Sequence, residues 1–352
     1  MRSHQIAAIP GDGIGPEVLD AGLAVIEALE KDEGFALNTI RFPWGSEFYL
    51  QHGRMVKEGG IESLRGFEAI YFGAVGSKEV PDHISVWDLI LPIRQKFDQY
   101  VNLRPMRLLP GLTSPLAGRG PKDIDMVCVR ENTEGEYSGV GGFVHRGRPG
   151  ELANEVATFT RAGIERLVQF GFELARTRPR KLVASATKSN ALRHSMVLWD
   201  EVVEEVAGRF TDITLRRYHV DALAARMVTQ PDTVDVIVAS NLFGDILTDL
   251  GAAISGSLGV APSGNLDPTR KNPSMFEPIH GSAPDIAGRG IANPIGAVWA
   301  GALMLEHLGE KQAAARVVRA IEKVTAEGKV RTPDLGGSAT TDDMTNALLE
   351  AL

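Results

Sequence analysis

Residues 6–29 read IAAIPGDGIGPEVLDAGLAVIEAL, and the succession of patterns in them decides the architecture. Residues 6–9 are a short apolar run of strand type, stopped by PGDGIGPE, because proline and glycine punctuate regular structure. Val18, Ala21, Leu23, Val25, Ile26 and Leu29 then recur at helical spacing. Strand, glycine-rich turn and helix in that order open an α/β fold. Gly11, Gly13 and Gly15 suggest a dinucleotide-binding fingerprint, but the third glycine of that pattern would fall at position 16, where Pro16 stands. No acidic residue follows a second strand in the expected place either. The chain is therefore read as α/β but not as a Rossmann dinucleotide fold, with this turn able to come close to a ligand.

The composition bounds what surrounds that opening. The 352 residues are 43% hydrophobic and 23% charged, which suits a globular protein of roughly two domains. A formal net charge of −8 argues against nucleic acid or an anionic membrane as the main partner. The 38 glycines and 19 prolines are spread along the chain, so many tight turns are expected and no disordered tail. The single cysteine, Cys128, lies in an apolar run and reads as a buried, inert thiol of a reducing compartment. The start, MRSHQIAAIPGDG, has no long apolar segment, and no stretch approaches a membrane span. A cytoplasmic protein is expected.

Further strands are expected at residues 37–42 and 69–72, the second running into GAVGS. HISVWDLILPIR holds Trp87 and Arg94 seven residues apart, two turns of one helical face, with Pro92 as a start or kink. Arg104 stands in an extended segment before Pro105. Residues 124–129 are strongly apolar, and RENTEGEYSGVGG crowds Arg130, Glu131, Glu134, Glu136 and Tyr137 at the carboxyl end of that run. Binding residues gather at such ends in open α/β sheets. A helix over 159–176, a strand over 182–186 and a second helix through Met196 and Val206 follow, with Lys188 in the turn between the last two. A strand from Thr214 ends at Asp221, which reads equally well as a helix cap. FEPIHGSAPDIAGRGIANPIG is a long loop, and loops of that length tend to be functional. Three helices close the chain, over 297–308, 312–326 and 342–352.

One stretch carries the clearest chemistry. Residues 234–238 are apolar and β-branched, and SNLFGDILTDL follows at 240–250. Ser240 or Asn241 can cap a helix bearing Leu242, Ile246 and Leu250 at helical spacing, with Asp245 and Asp249 one above the other on one face. Two carboxylates so placed repel by about 0.2–0.5 kcal/mol on an exposed helix, and a hard divalent ion relieves that repulsion. The plain alternative is a solvated polar edge beside an apolar stripe.

GDGIGPE, NLRP, RENTEGEY, TKSN, SNLFGDILTDL, HGSAPDIAG and IANP, in this order and spacing, resemble the metal-dependent β-decarboxylating dehydrogenases over essentially the whole chain. That family comprises the isocitrate, isopropylmalate, homoisocitrate and tartrate/D-malate enzymes. The resemblance implies a two-lobed isocitrate/isopropylmalate dehydrogenase-like fold with parallel or mixed sheets flanked by helices. Residues 1–103 with 256–352 would form a large domain carrying the NAD-binding loop. Residues 104–255 would form a small domain with the metal site and dimer interface.

The same resemblance assigns roles. Arg94, Arg104 and Arg130 would clamp the carboxylates of a small dicarboxylate substrate, for which planar guanidinium forks are suited. Asp245 and Asp249, joined by Asp221 from a second subunit, would bind Mg2+ or Mn2+, with K+ as a candidate further cation. Lys188, also from the second subunit, would take the C2 hydroxyl proton, and Tyr137 would return a proton to C3. A homodimer follows, because the monomer lacks a complete site. His280, Gly281, Ser282, Ala283, Asp285, Ile286 and Asn293 would hold the cofactor. Asp285 would accept from ribose hydroxyls and repel a 2′-phosphate, which favours NAD; NADP-using relatives carry Lys and Tyr in place of Asp285 and Ile286.

Trp87 stands where isopropylmalate enzymes carry Glu, and if it faces the site it fills the space a C3 substituent needs. VPDHIS, LPIR, FDQYVNLRP and RPRKL resemble the tartrate/D-malate branch, although Ser77 and Asp88 depart from its pattern. The expected activity is NAD- and divalent-metal-dependent oxidation of tartrate and oxidative decarboxylation of D-malate to pyruvate and CO2. The competing readings are a 3-isopropylmalate dehydrogenase and, from another class, a dicarboxylate-binding protein without chemistry. Neither nucleic acid nor membrane is expected as a partner.

Overall fold

The computed structural model describes residues 2–352. Its strands are β1 (Arg2–Gly11), β2 (Phe35–Arg41), β3 (Ala69–Ala74), β4 (Val101–Arg107), β5 (Asp125–Glu131), β6 (Gly135–Val144), β7 (Leu152–Thr158), β8 (Leu182–Thr187), β9 (Thr214–His219), β10 (Val236–Ala239), β11 (Pro262–Leu266) and β12 (Ser274–Pro278). Its helices are α1 (Gly15–Glu27), α2 (Glu30–Glu33), α3 (Ser46–His52), α4 (Gly60–Ser63), α5 (Asp82–Ser85), α6 (Leu91–Lys96), α7 (Arg161–Thr177), α8 (Ser195–Ala207), α9 (Val220–Thr229), α10 (Asn241–Ile254), α11 (Ile295–Leu308), α12 (Lys311–Glu327) and α13 (Thr341–Ala351).

Ten strands form one sheet in the order β2-β1-β3-β12-β11-β4-β5-β10-β8-β9. Pairing is parallel on both flanks and antiparallel at β12–β11, β11–β4 and β4–β5. Alternate residues of one strand enter different cores, as the two-residue repeat of a strand requires. Ile6 and Ala8 pack with α1, α11, α12 and α13, while Ala7 and Ile9 pack with residues of α3, α4 and α6. Val127 and Val129 likewise face the α7–α8 side, and Met126 and Cys128 face α9 and α10. A sheet covered on both faces needs apolar residues at every position, which is why the strand sequences show continuous apolar runs. Among the described residues, no helix is long and apolar enough to cross a membrane.

The glycines of the opening turn serve backbone packing. A Cβ on Gly11 would lie 1.8 Å from the Ala74 carbonyl oxygen, and one on Gly13 would lie 2.0 Å from that of Ser282. Both have positive φ, 70° and 59°, and only glycine meets both demands at no steric cost. The Ile14 N–H donates to the Ser282 oxygen at 2.9 Å. The Asp12 carboxylate accepts from the Ser46 N–H and hydroxyl and from the Gly76 N–H. The turn thus fastens the 76 and 282 loops to β1 and α3.

Two differences from expectation bear on function. The glycine-rich run after Arg130 is not a binding loop throughout: residues 135–144 become β6, which pairs only with β7 in a separate exposed hairpin. On α10 the apolar stripe Leu242, Ile246, Leu250 does not form the buried face, although Leu250 packs at the edge of the core. Ile246 is 57% exposed, and the inward face is Asn241, Gly244, Leu247, Thr248 and Gly251. Small residues are required there because other side chains cross the helix closely. A Cβ on Gly244 would meet Arg130 at 2.5 Å, and one on Gly251 would meet the Met106 sulfur at 2.0 Å.

Candidate active site

The cleft at the carboxyl ends of the central strands is built from α10 outwards. Ser240 is the N-cap, in extended conformation, its Oγ accepting from the Phe243 N–H at 3.4 Å. Its hydroxyl donates to Glu136 Oε1 at 2.8 Å, and the Leu242 N–H donates to Glu136 Oε2 at 3.0 Å. A carboxylate at a helix N-terminus is favoured by the dipole and satisfies open N–H groups. Glu134 performs the same service for α7, accepting from the Thr160 N–H and hydroxyl. Glu131 accepts from the N–H groups of Asn132, Thr133 and Glu134. The acids crowded into RENTEGEY therefore hold the local backbone, and Arg130 and Tyr137 are left to face the cleft.

Those two meet Asp245. Arg130 Nη1 donates to Asp245 Oδ1, and the Tyr137 hydroxyl donates to Asp245 Oδ2 at 3.2 Å. Asn241 Oδ1 fixes the Arg130 fork, accepting from Nε at 3.0 Å and from Nη2 at 2.7 Å. Arg104 reaches the same carboxylate from β4, Nη1 to Oδ1 at 3.6 Å, and donates to the Thr248 hydroxyl at 2.8 Å. Arg94, from α6, pairs with Glu277 at the end of β12 at 2.9 Å, and Asn265 also donates to that carboxylate at 2.8 Å. All three arginines are buried, and the Nε groups of Arg94 and Arg104 have no acceptor. A buried unmet donor costs about 1–3 kcal/mol, a cost that an anionic partner reaching these groups would relieve.

Charge follows the same geometry. Burial presses the Arg104 and Arg130 guanidiniums below their ordinary range, with the neighbouring Arg94 and Arg104 respectively adding to the effect, and Asp245 opposing it. Burial acts to raise Asp245, but Arg130, Arg104 and the Tyr137 hydroxyl outweigh it and hold the carboxyl below its usual range. Asp249 is raised instead, by burial and by Asp245, against the pull of Arg104. Burial and the Asp245 charge also raise Tyr137, which keeps its proton at neutral pH.

Lys188, in the turn after β8, and Asp221, in the first turn of α9, stand together, Nζ to Oδ1 at 2.7 Å. They do not join Asp245 and Asp249 within one chain. Among the described residues no three His, Cys, Asp or Glu side chains converge to hold an ion. Asp245 and Asp249 nonetheless fit a divalent ion in part. Each Asp245 oxygen accepts one hydrogen bond and has a lone pair left, and the repulsion from Asp245 that helps burial raise Asp249, against the pull of Arg104 and Arg130, is one a divalent ion would relieve.

A cleft of about 610 Å³ lies between residues 75–82 and residues 281–284. Of the residues expected to hold a cofactor, Gly281, Ser282 and Ala283 line it. Ala283 adopts φ 41°, the left-handed region. Asp285 is exposed, while Ile286 packs beside Ile14, Val18, Ala292 and Ala297. His280 Nδ1 approaches the Gly281 oxygen at 3.0 Å, its Nε2 is buried without a partner, and burial lowers its pKa. Asn293 spends its side chain on the fold, Oδ1 accepting from the Ile295 N–H and Nδ2 donating to Asp334. Of the residues that position the arginines, Glu277 and Thr248 carry no signal of their own in the sequence, and Asn241 stands out only as a cap candidate.

The profile of the isocitrate/isopropylmalate dehydrogenase family matches residues 5–348. A probable tartrate dehydrogenase/decarboxylase of Agrobacterium vitis is 57% identical over 353 residues, covering 100% of this chain and 98% of that protein. The D-malate dehydrogenase (decarboxylating) of Escherichia coli K12 is 52% identical over 359 residues, covering 100% and 99%. Among solved structures, isocitrate dehydrogenase from Methylococcus capsulatus superposes with a TM-score of 0.89 at 36% identity, covering 99% of each chain.

Proposed function

The chain belongs to the isocitrate/isopropylmalate dehydrogenase family, and on that premise we propose that it oxidises tartrate and oxidatively decarboxylates D-malate to pyruvate and CO2, with NAD and Mg2+ or Mn2+. The observation that carries this reading is the convergence of buried Arg94, Arg104 and Arg130 on one cleft, two of them with unmet N–H groups. Three forks match a small diacid, and the relatives named for tartrate and D-malate are alike over the full length.

Asp245 and Asp249 would hold the divalent ion, with Asp221 supplied by a second copy. Bound there, the ion supplies Lewis-acid polarisation of the substrate's C2 oxygen. Lys188 of that second copy takes the proton from the C2 hydroxyl, and the nicotinamide supplies the hydride acceptor. The arginines orient the carboxylates so that C2 and its hydrogen have a fixed position, which removes orientational freedom from the reaction. Tyr137, protonated and anchored to Asp245, gives a proton to C3 once CO2 has left. The loop of His280, Gly281, Ser282, Ala283, Asp285 and Ile286 would hold the adenosine end of NAD, Asp285 turning away a 2′-phosphate. Asn293 would contribute only through the N–H of its amide not given to Asp334.

Sharing of the site requires a homodimer. The exposed β6–β7 hairpin, with Val140, Phe143, Val144, Leu152 and Val156 uncovered, supports this, as do exposed Ile246 and Leu192. Division into lobes of residues 1–103 with 256–352 and of 104–255 belongs to the same reading. So do a cytoplasmic setting, suited to the lone buried Cys128, and K+ as a further cation. The test is a steady-state comparison of D-malate, L-tartrate, 3-isopropylmalate and isocitrate with NAD and Mn2+, read at 340 nm. D-malate or tartrate is expected to have the highest kcat/KM; a higher value for either bulkier acid overturns the reading.

A further inference from the structure

Trp87 sits in a π-helical turn, Val86–Ile90, between α5 and α6, and such turns recur at functional sites because the wider winding re-aims side chains. It is the one tryptophan of four with much exposure, 39%, where Trp44, Trp199 and Trp299 are buried. Seven residues on, the same helical run carries Arg94. The far edge of the Trp87 ring rests on Gly139 of the hairpin: a Cβ there would lie 2.8 Å from Cζ3 and 3.0 Å from Cη2. Gly139 also has φ 75°, a conformation in which a side chain is strained. Two residues earlier, β6 carries Tyr137 with its hydroxyl on Asp245. The ring is therefore tied to the arginine side of the cleft through its own helix, and to the proton-donor side through Gly139.

We propose that Gly139 is a specificity-determining residue: by lacking a side chain it provides the seat on which the Trp87 ring closes the Tyr137 end of the cleft to substituents on C3. The inference rests on the proposed function and extends it. Hydrogen or hydroxyl on C3 passes under the ring, and a branched alkyl group such as isopropyl meets it. A side chain at 139 has to lift the ring, because van der Waals contact admits no atom between them.

The experiment compares the unaltered chain with Gly139→Ala, Trp87→Phe and the double variant, since the phenyl ring lacks the edge that rests on residue 139. Two readouts are taken: acrylamide quenching of tryptophan fluorescence in the free protein, and the ratio of kcat/KM for D-malate to that for 3-isopropylmalate. Gly139→Ala is expected to roughly double the accessible-fraction quenching, because the ring must take another rotamer. It is expected to lower the ratio by about tenfold or more, since a single methylene too many already carries about tenfold discrimination. Trp87→Phe lowers the ratio similarly, and adding Gly139→Ala to it has no further effect. Unchanged quenching, an unchanged ratio, or a Gly139→Ala effect that persists undiminished beside Trp87→Phe overturns the seat while D-malate turnover stands. Failure of the unaltered chain to oxidise D-malate sinks the underlying function as well. If Gly139→Ala does not fold, Trp87→Phe alone decides, and an unchanged ratio there overturns the proposal.

Discussion

Tyr137 shows how a single side chain's surroundings set its protonation and its aim. Partly buried, facing the negative Asp245 and stacked near the Arg130 guanidinium at 5.7 Å, its hydroxyl is kept neutral and aimed. Removing that hydroxyl leaves the arginine clamp intact. Tyr137→Phe is expected to retain the oxidation step and to lose about 10²–10⁴-fold in the rate of pyruvate release, the usual contribution of a positioned acid. Comparing NADH formation with pyruvate release in a single turnover checks this, and equal losses in both would assign Tyr137 to binding. At this scale the sequence was only half legible. Arg130 and Tyr137 stood out with three acids beside them, yet Glu131, Glu134 and Glu136 serve backbone caps. Spacing shows that charges are near one another, but not which of them the backbone consumes. Glu277 was hidden for a related reason: it becomes a partner of Arg94 only when β12 is folded in beside β3, 183 residues away in sequence.

Elements fared better where burial on two sides writes an unbroken apolar run. The expected strands near residues 6, 69, 125, 182 and 236 all exist, and the helices α7, α8, α12 and α13 follow their apolar spacing. The β6–β7 hairpin escaped notice because nothing in the chain covers it: with no core to face, its residues carry no alternation. The α10 stripe misled for the converse reason, since close crossing by Arg130 and Met106 makes small residues the buried ones. The start of β1 offers a prediction of its own. His4 bridges two carboxylates, Nδ1 to Glu68 and Nε2 to Glu310, each at 3.0 Å, and Arg2 also binds Glu310. Burial acts to lower His4, but the hydrogen bonds to Glu310 and Glu68 prevail and raise it above 6.5. Glu310 is lowered from 4.5, first by the Arg2 hydrogen bond and then by His4. His4 therefore contributes stability fully below about pH 6.5, lost as pH rises through its folded value, and Glu310 contributes above about pH 4.5, lost on acidification. His4→Gln is expected to lower Tm by about 1–3 °C near pH 6 and by less near pH 9, measured by scanning calorimetry. A deficit that does not shrink with rising pH would show that the imidazole acts there by shape alone.

The whole molecule raises the question of how many chains make one working cleft. Lys188 and Asp221 hold each other in one place, Asp245 and Asp249 stand in another, and among the described residues no trio of ligands forms within a chain. Lys188→Ala and Asp245→Asn, each inactive as a pure protein, are expected to complement when unfolded together and refolded. In mixed dimers one cleft receives both intact residues, restoring about a quarter of the original activity under symmetric pairing. No recovery would place Lys188 in the cleft of its own chain. A different consequence follows from the order of strands. β11 and β12 lie between β3 and β4 in the sheet, although they are made some 160 residues after β4. A chain emerging from a ribosome thus has the outer flanks of its sheet long before the middle ones, and the two flanks cannot be joined until residues 262–278 clear the exit tunnel. Any nascent product halted before that point exposes two raw strand edges, one on β3 and one on β4, and is a substrate for chaperones and proteases rather than a smaller version of the enzyme.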